Sequence, residues 1–166
     1  MNCVIEPGLL EGTVSIPASK SAAHRALICA ALAKGTSRLT NLSDSEDIAA
    51  TIGALQQMGA KITRTGSSVT VTGILEPPTQ PITLDCGESG STLRFLIPVA
   101  AALGLTCTII GKGRLPYRPL DAYLRELPKK VYPFSRSGRM LCFPYTCPAS
   151  CKAAFFSWKG MYPPSI

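Results

Sequence analysis

Three stretches of this 166-residue chain place cations where a helix should begin. The first is Pro17-Ala18-Ser19-Lys20-Ser21-Ala22-Ala23-His24-Arg25. Ser19 is a natural N-cap, and Arg25 follows Ser21 by four residues, on the same helix face. Free N–H groups and the positive end of the helix dipole make such a start an anion site. Lys20 in the first turn costs about 0.3–1 kcal/mol against that dipole, and a bound phosphate or carboxylate would reverse the sign. The plain alternative is a capped helix with two exposed cations. The second stretch, Asp85-Cys86-Gly87-Glu88-Ser89-Gly90-Ser91-Thr92-Leu93-Arg94, leaves a strand, turns on glycines and opens a helix. Gly87 and Gly90 allow close backbone approach, and Arg94 again faces the dipole with the wrong sign. It matches neither a Walker loop nor a dinucleotide fingerprint. The third, Gly111-Lys112-Gly113-Arg114-Leu115-Pro116-Tyr117-Arg118-Pro119, sets Arg118 before a proline that should open the next helix. A guanidinium is a planar fork for carboxylate or phosphate. Each stretch alone fits a basic surface loop. Together they point to electrostatic clamping of two anionic groups, or of two anionic ligands.

Asp44, Glu46 and Asp47 read as first-turn acids that a helix dipole favours anyway. His24, the only histidine, reads as a helix-face residue. It has no neighbouring carboxylate or nucleophile in sequence, so a catalytic triad is not expected.

The elements that must position these residues occupy only part of the chain. Residues 1–127 contain all ten acidic residues and eleven of the seventeen Lys and Arg, a net of +1, whereas residues 128–166 contain six basic residues and no acid. The net charge of +7 is therefore a tail property, and nucleic-acid binding is not expected without a basic stripe on the ordered part. Met1 to Ser21 lacks the pattern of a signal peptide. Cys3, Cys29, Cys86 and Cys107 read as reduced, buried cysteines, and Cys142, Cys147 and Cys151 are spaced too loosely for a zinc knuckle, so no metal is expected. No apolar run is long enough for a membrane span. The reading is a cytoplasmic protein without membrane contact.

Turn signals and hydrophobic periodicity predict strands at Cys3–Glu6 and Thr13–Ile16, a helix over Lys20–Ala33, and a strand over Ser37–Leu42. A capping box at Ser43–Glu46 then opens a helix to Met58, stopped by Gly59, and a hairpin joins Lys61–Arg64 to Ser68–Thr72 around Gly66. This first unit, about 13–73, has the order strand, helix, strand, helix, strand, strand. A second unit, about 82–127, restarts with a strand at Ile82–Asp85, a helix over Ser89–Leu103, a strand at Leu105–Ile110 and a helix over Pro119–Leu127 with proline in first position. Its two closing strands are missing. The units share element order without residue identity. Pro128, Pro133, Pro144, Pro148, Pro163 and Pro164 break every candidate strand of the tail. Residues 128–166 are expected to be irregular and read as a segment translated out of frame.

In order and spacing, Ser19-Lys20-Ser21-x-x-x-Arg25, Asn41-Leu42-Ser43-Asp44-Ser45-Glu46-Asp47, Cys86 to Arg94 and Arg114-Leu115-Pro116-Tyr117-Arg118-Pro119-Leu120 resemble the 5-enolpyruvylshikimate-3-phosphate synthase family. The resemblance covers about residues 1–127. It implies an α/β (α+β) fold of repeated strand-helix-strand-helix-strand-strand units, the enolpyruvyl transferase fold, here truncated within the second unit. It also implies transfer of the enolpyruvyl group of phosphoenolpyruvate to the 5-hydroxyl of shikimate 3-phosphate, in the shikimate pathway to chorismate and aromatic amino acids. By the same resemblance Lys20 contacts phosphoenolpyruvate and shuttles a proton. Lys20, Ser21 and Arg25 hold shikimate 3-phosphate. Gly90, Arg94 and Arg118 cradle phosphoenolpyruvate, and Asp47 and Ser91 lie at the site. No cofactor or metal is implied, and the full-length family acts as a monomer. Glu88 and Ser91 depart from the Asn and Thr common in the family loop. The carboxylates and closing domain that the family uses lie beyond residue 127, so this chain alone is expected to be inactive. The related UDP-N-acetylglucosamine enolpyruvyl transferase carries Asn after the lysine and is the second reading. A small non-catalytic anion-binding protein with a partner-docking tail is the third.

Overall fold

The computed structural model describes residues 3–4, 8–9, 11–127, 135–137 and 140–143. The fold is mixed α/β, and its elements fall in two stretches of the chain. The first contains α1 (Lys20–Leu32), β1 (Thr36–Leu39), α2 (Glu46–Gln57), β2 (Lys61–Thr65) and β3 (Ser68–Thr72). The second contains β4 (Ile82–Asp85), α3 (Gly90–Ala102), β5 (Cys107–Ile110), a single 3-10 turn at Leu115–Tyr117, α4 (Asp121–Glu126), β6 (Ser135–Ser137) and β7 (Met140–Phe143).

The sheets reveal the repeat more fully than the sequence does. The first has the order β1-β3-β2 and the second β4-β5-β7-β6. In each, a hairpin follows the second helix, and the hairpin's second strand lies antiparallel to the strand between the helices: β3 on β1, and β7 on β5. The second sheet adds β4, parallel to β5 with Leu84 opposite Ile109. The closing strands that the sequence denied to the second unit therefore exist, within the segment expected to be irregular. The prolines at 133 and 144 flank this hairpin instead of interrupting it, and proline is tolerated outside the ladder.

The converse correction concerns Thr13–Ile16, which forms no strand; Val14 and Ile16 are 83% and 88% exposed. Alternation alone does not make a strand. It needs a partner edge, and none of the described strands pairs with this segment. Of Cys3–Glu6, the described residues Cys3 and Val4 form no element, and the rest lie outside the described residues.

Each main helix starts on a serine. Ser19, Ser45 and Ser89 accept hydrogen bonds from the N–H of Ala22, Ile48 and Thr92. The expected capping box is thus replaced by a single cap at Ser45, two residues later than Ser43. Removing that oxygen with Ser45→Ala is expected to cost about 1 kcal/mol in a urea unfolding curve. The C-terminal signals are as read: Gly35, Gly59 and Gly104 lie beyond α1, α2 and α3 with positive φ. The apolar faces of the three helices meet β3 and β4 in one core, with Leu27, Ile48, Leu55, Val69, Val71, Leu84 and Leu96 fully buried. Cys86 and Cys107 are buried as expected, but Cys3 and Cys29 are exposed. Cys29 lies outside the α1 face formed by Ala23, Leu27, Ala30 and Ala31.

Candidate functional site

The starts of α1, α2 and α3 are joined by polar contacts. Lys20 Nζ donates to Asp47 Oδ2 at 2.8 Å, from the first turn of α1 to the first turn of α2. The lysine therefore has a carboxylate partner already, which offsets its unfavourable position on the α1 dipole. Its hydrogen bond is also the main reason that the Asp47 carboxyl titrates below its ordinary range. Arg25 Nη1 donates to the Ser21 carbonyl at 2.8 Å, and its guanidinium carbon lies 5.2 Å from the centroid of Phe95 in α3. That cation–π contact stretches Arg25 across the gap between α1 and α3. Ser21 and Ser91 are exposed in the first turns of their helices.

A second group of residues gathers where α3 begins. Its approach loop is shaped by Asp85 Oδ1, which accepts the Gly87 N–H at 2.8 Å, with Gly87 at φ +54°. That conformation is open to glycine at little cost. Gly87 O in turn accepts the Lys112 N–H at 2.8 Å, tying the first glycine loop to the loop after β5. The chain then makes its 3-10 turn, and Arg118 emerges extended at φ −67°, ψ 142°. The proline that follows imposes this conformation by excluding the helical region at the preceding residue. The helix expected from Pro119 starts at Asp121 instead, because Leu120 is still non-helical at φ −130°, ψ 20°. The extended Arg118 reaches back to Gly90. A Cβ at Gly90 would stand 3.2 Å from Arg94 Nη1, 3.7 Å from Arg118 Cδ and 3.8 Å from Arg118 Nε. Both arginines thus converge on the bare backbone of the α3 start. That helix has no acid in its first turn, and among the described residues neither arginine has a carboxylate within 4.0 Å. Tyr123 on α4 steadies the same turn by donating its hydroxyl to the Arg94 carbonyl at 3.2 Å.

Two convergent guanidinium groups at a helix start, without an acid, fit an anionic ligand. The chain matches the EPSP synthase (3-phosphoshikimate 1-carboxyvinyltransferase) family over residues 4–130. It belongs to that family. A 3-phosphoshikimate 1-carboxyvinyltransferase of Clostridium beijerinckii is 49% identical over 147 residues, covering 84% of this chain and 34% of that protein. The relative of the same name from Clostridium kluyveri is 42% identical over 157 residues, covering 94% of this chain and 36% of that protein. An EPSP synthase structure from Acinetobacter baumannii superposes with a TM-score of 0.69 at 26% identity, covering 80% of this chain and 32% of that one. The chain spans about a third of the length of the curated relatives it matches.

Of the residues that the EPSP synthase resemblance singles out, the structure joins Lys20 to Asp47, and Gly90 to Arg94 and Arg118. Between the two groups lies a set of side chains that the sequence did not reveal. His24 is not an unpartnered helix-face residue: it is 2% exposed, with Nδ1 2.7 Å from Thr51 Oγ1. Thr51 Oγ1 is 2.7 Å from Thr92 Oγ1, and Thr92 Oγ1 donates to Ser89 Oγ at 2.8 Å. Ser89, the cap of α3, also accepts the Thr92 N–H at 3.2 Å. The partners are 27 and 41 residues apart, so only the apolar company of His24 on the Ala23–Leu27 face hinted at burial.

Two titrations follow. Burial holds the His24 imidazole below its ordinary value of 6.5, and Lys20 and Arg25 push the same way while Asp47 opposes. Below pH 6.5 the unfolded chain gains a proton that the folded chain resists, so stability is lost as pH falls. Asp47, depressed below 3.8, acts in the same direction at lower pH. The urea midpoint is expected to drop between pH 7 and pH 5 (about two units across the histidine range). That drop should be absent in His24→Asn. Burial pushes the Cys86 thiol up to about 12, so it is no thiolate nucleophile at neutral pH.

Proposed function

We propose that this chain forms the phosphoenolpyruvate-binding part, and part of the shikimate 3-phosphate site, of a 3-phosphoshikimate 1-carboxyvinyltransferase. The observation that carries this reading is the convergence of Arg94 and Arg118 on Gly90 at an acid-free helix start. Phosphoenolpyruvate supplies a phosphate and a carboxylate to match the two guanidinium forks. Lys20, held against Asp47, stands at the neighbouring helix start to meet the same ligand and to move a proton. Ser21 and Arg25 face shikimate 3-phosphate, and Ser91 adjoins Gly90. In the complete reaction the 5-hydroxyl oxygen bonds to C2 of phosphoenolpyruvate. The C2–O bond to the phosphate breaks, inorganic phosphate leaves, and the hydroxyl proton is carried off with it.

No cofactor enters this chemistry. The full-length enzyme acts as a cytoplasmic monomer, and this chain alone does not turn over, because closing and orienting the site needs groups from the rest of the protein. NMR titration of the purified chain with each substrate tests the reading. Amide shifts at Gly90 and Arg94 with phosphoenolpyruvate, and at Lys20 and Ser21 with shikimate 3-phosphate, support it. Shifts confined to other surfaces overturn it, and turnover of both substrates by this chain refutes the claim of inactivity.

The composition break after residue 127 belongs to the same reading as a change of reading frame near codon 128. The absence of acids supports it, as does a family match that ends at residue 130. Formation of β6 and β7 in the positions of β2 and β3, and an alignment reaching 94% of the chain, argue the other way. Resequencing the DNA from the Leu120 codon onward decides it. An alternative frame with further units supports the change, and stops in both other frames overturn it.

A further inference from the structure

His24, Thr51, Thr92 and Ser89 are all buried, at 2%, 0%, 0% and 3% exposure, where α1, α2 and α3 meet. Three short contacts link them in a row: His24 Nδ1 to Thr51 Oγ1 at 2.7 Å, Thr51 Oγ1 to Thr92 Oγ1 at 2.7 Å, and Thr92 Oγ1 to Ser89 Oγ at 2.8 Å. The row ends at Ser89, the cap of α3, which accepts from Thr92. Each hydroxyl has one proton to give, and a neutral imidazole has one ring N–H, on either nitrogen. Thr92 supplies the proton of the Thr92–Ser89 contact, so Thr51 must supply that of the Thr51–Thr92 contact. The His24–Thr51 contact is left for His24 to serve. The Asp47 carbonyl lies farther from Thr51 and Thr92, at 3.1 and 3.3 Å. It has a second lone pair beside the one that takes the helix N–H, and a Thr51 proton given there still leaves the His24–Thr51 contact for His24 to serve.

The geometry points to His24 as a positioning residue: a neutral imidazole protonated on Nδ1, heading a one-way row of hydroxyl hydrogen bonds that ends on Ser89, the cap of α3. The other tautomer would reverse the row. Thr51 would donate to Nδ1, Thr92 to Thr51, and Ser89 to Thr92. The tautomer of one buried ring thus sets whether Ser89, the cap of α3, receives or gives the proton it shares with Thr92. The link between this row and substrate rests on the function proposed above, but the row itself does not. Asp47, Lys20 and Arg25 are the charged groups that act on the ring, and its burial favours the neutral form.

The chain has a single histidine, so one ring gives the whole signal. Two-bond 1H–15N correlation spectra of the 166-residue chain at neutral pH are expected to show Nδ1 protonated and Nε2 bare. An Nε2–H pattern in the unaltered chain overturns the proposal with no variant needed. Thr51→Val removes the acceptor, and the ring proton is expected to move to Nε2, whereas Thr51→Ser should keep it on Nδ1. A ring that stays Nδ1-protonated in Thr51→Val also overturns the proposal. None of these readouts depends on substrate binding, so failure of the proposed function would leave them standing.

Discussion

Gly73→Ala is expected to destabilise the chain by about 3 kcal/mol or more, over a hundredfold in the folding equilibrium. Gly73 follows β3, where the chain presses against the end of α1. Its N–H donates to Gly35 O at 3.0 Å, and the Ile74 N–H donates to Ala31 O at 2.8 Å. A Cβ on Gly73 would lie 1.8 Å from Ala33 O, 3.0 Å from Ala33 C and 3.3 Å from Ala31 O. These are backbone atoms, so no side chain can swing aside. Relief requires breaking both hydrogen bonds, each worth about 1 kcal/mol. It also displaces β3, the central strand of its sheet, whose Val69 and Val71 are fully buried. Gly53→Ala is the matched control. Gly53 lies inside α2 with nothing within 4 Å of an added Cβ, and alanine there should stabilise by up to about 1 kcal/mol. Urea unfolding of the two variants is expected to move the midpoint in opposite directions. A Gly73→Ala midpoint near that of the parent would mean that the chain does not pass so close to α1.

Removing either arginine of the α3 cluster is expected to weaken phosphoenolpyruvate binding about ten- to hundredfold. A hydrogen bond to a charged group is worth about 1.5–3 kcal/mol, and each 1.4 kcal/mol is tenfold. Arg94→Ala and Arg118→Ala should leave the fold intact, because among the described residues neither guanidinium has a carboxylate within 4.0 Å and Arg118 is exposed. Arg118→Lys keeps the charge but loses the planar fork, so its affinity should fall between those of the parent and Arg118→Ala. Gly90→Ala should act through the same pair, since its Cβ would stand 3.2 Å from Arg94 Nη1. Titrating phosphoenolpyruvate against the Arg94 variant while following the Gly90 amide, and against the others by calorimetry, gives the affinities. Unchanged affinity in both alanine variants would remove these residues from the site.

Much of this was legible in the chain because it is local. Ser19 and Ser89 cap helices whose starts need an acceptor within three residues, and Gly104 follows α3 because glycine enters the left-handed region cheaply. The same caps placed Lys20 and Arg94 in the opening turns of α1 and α3, whereas the helix after Arg118 began two residues later than its proline suggested. The element order of two units followed from such signals, and the order of motifs pointed to the EPSP synthase family. What failed was every statement that needed a distant partner. Thr13–Ile16 alternates like a strand but has no edge to join, and β7 pairs with β5 some 30 residues away, across prolines that looked prohibitive. Lys20 looked like a cation awaiting a ligand until folding brought Asp47 to it across 27 residues. His24 looked idle until Thr51, Thr92 and Ser89 closed around it. Propensity, capping and turn chemistry act within a few residues, so the sequence by itself determined the elements, their order and the family. Pairing of strand edges and satisfaction of buried polar groups depend on which surfaces the packed core brings together. Only the tertiary structure could therefore decide the closing strands, the ion pair at Asp47 and the hydroxyl row behind it.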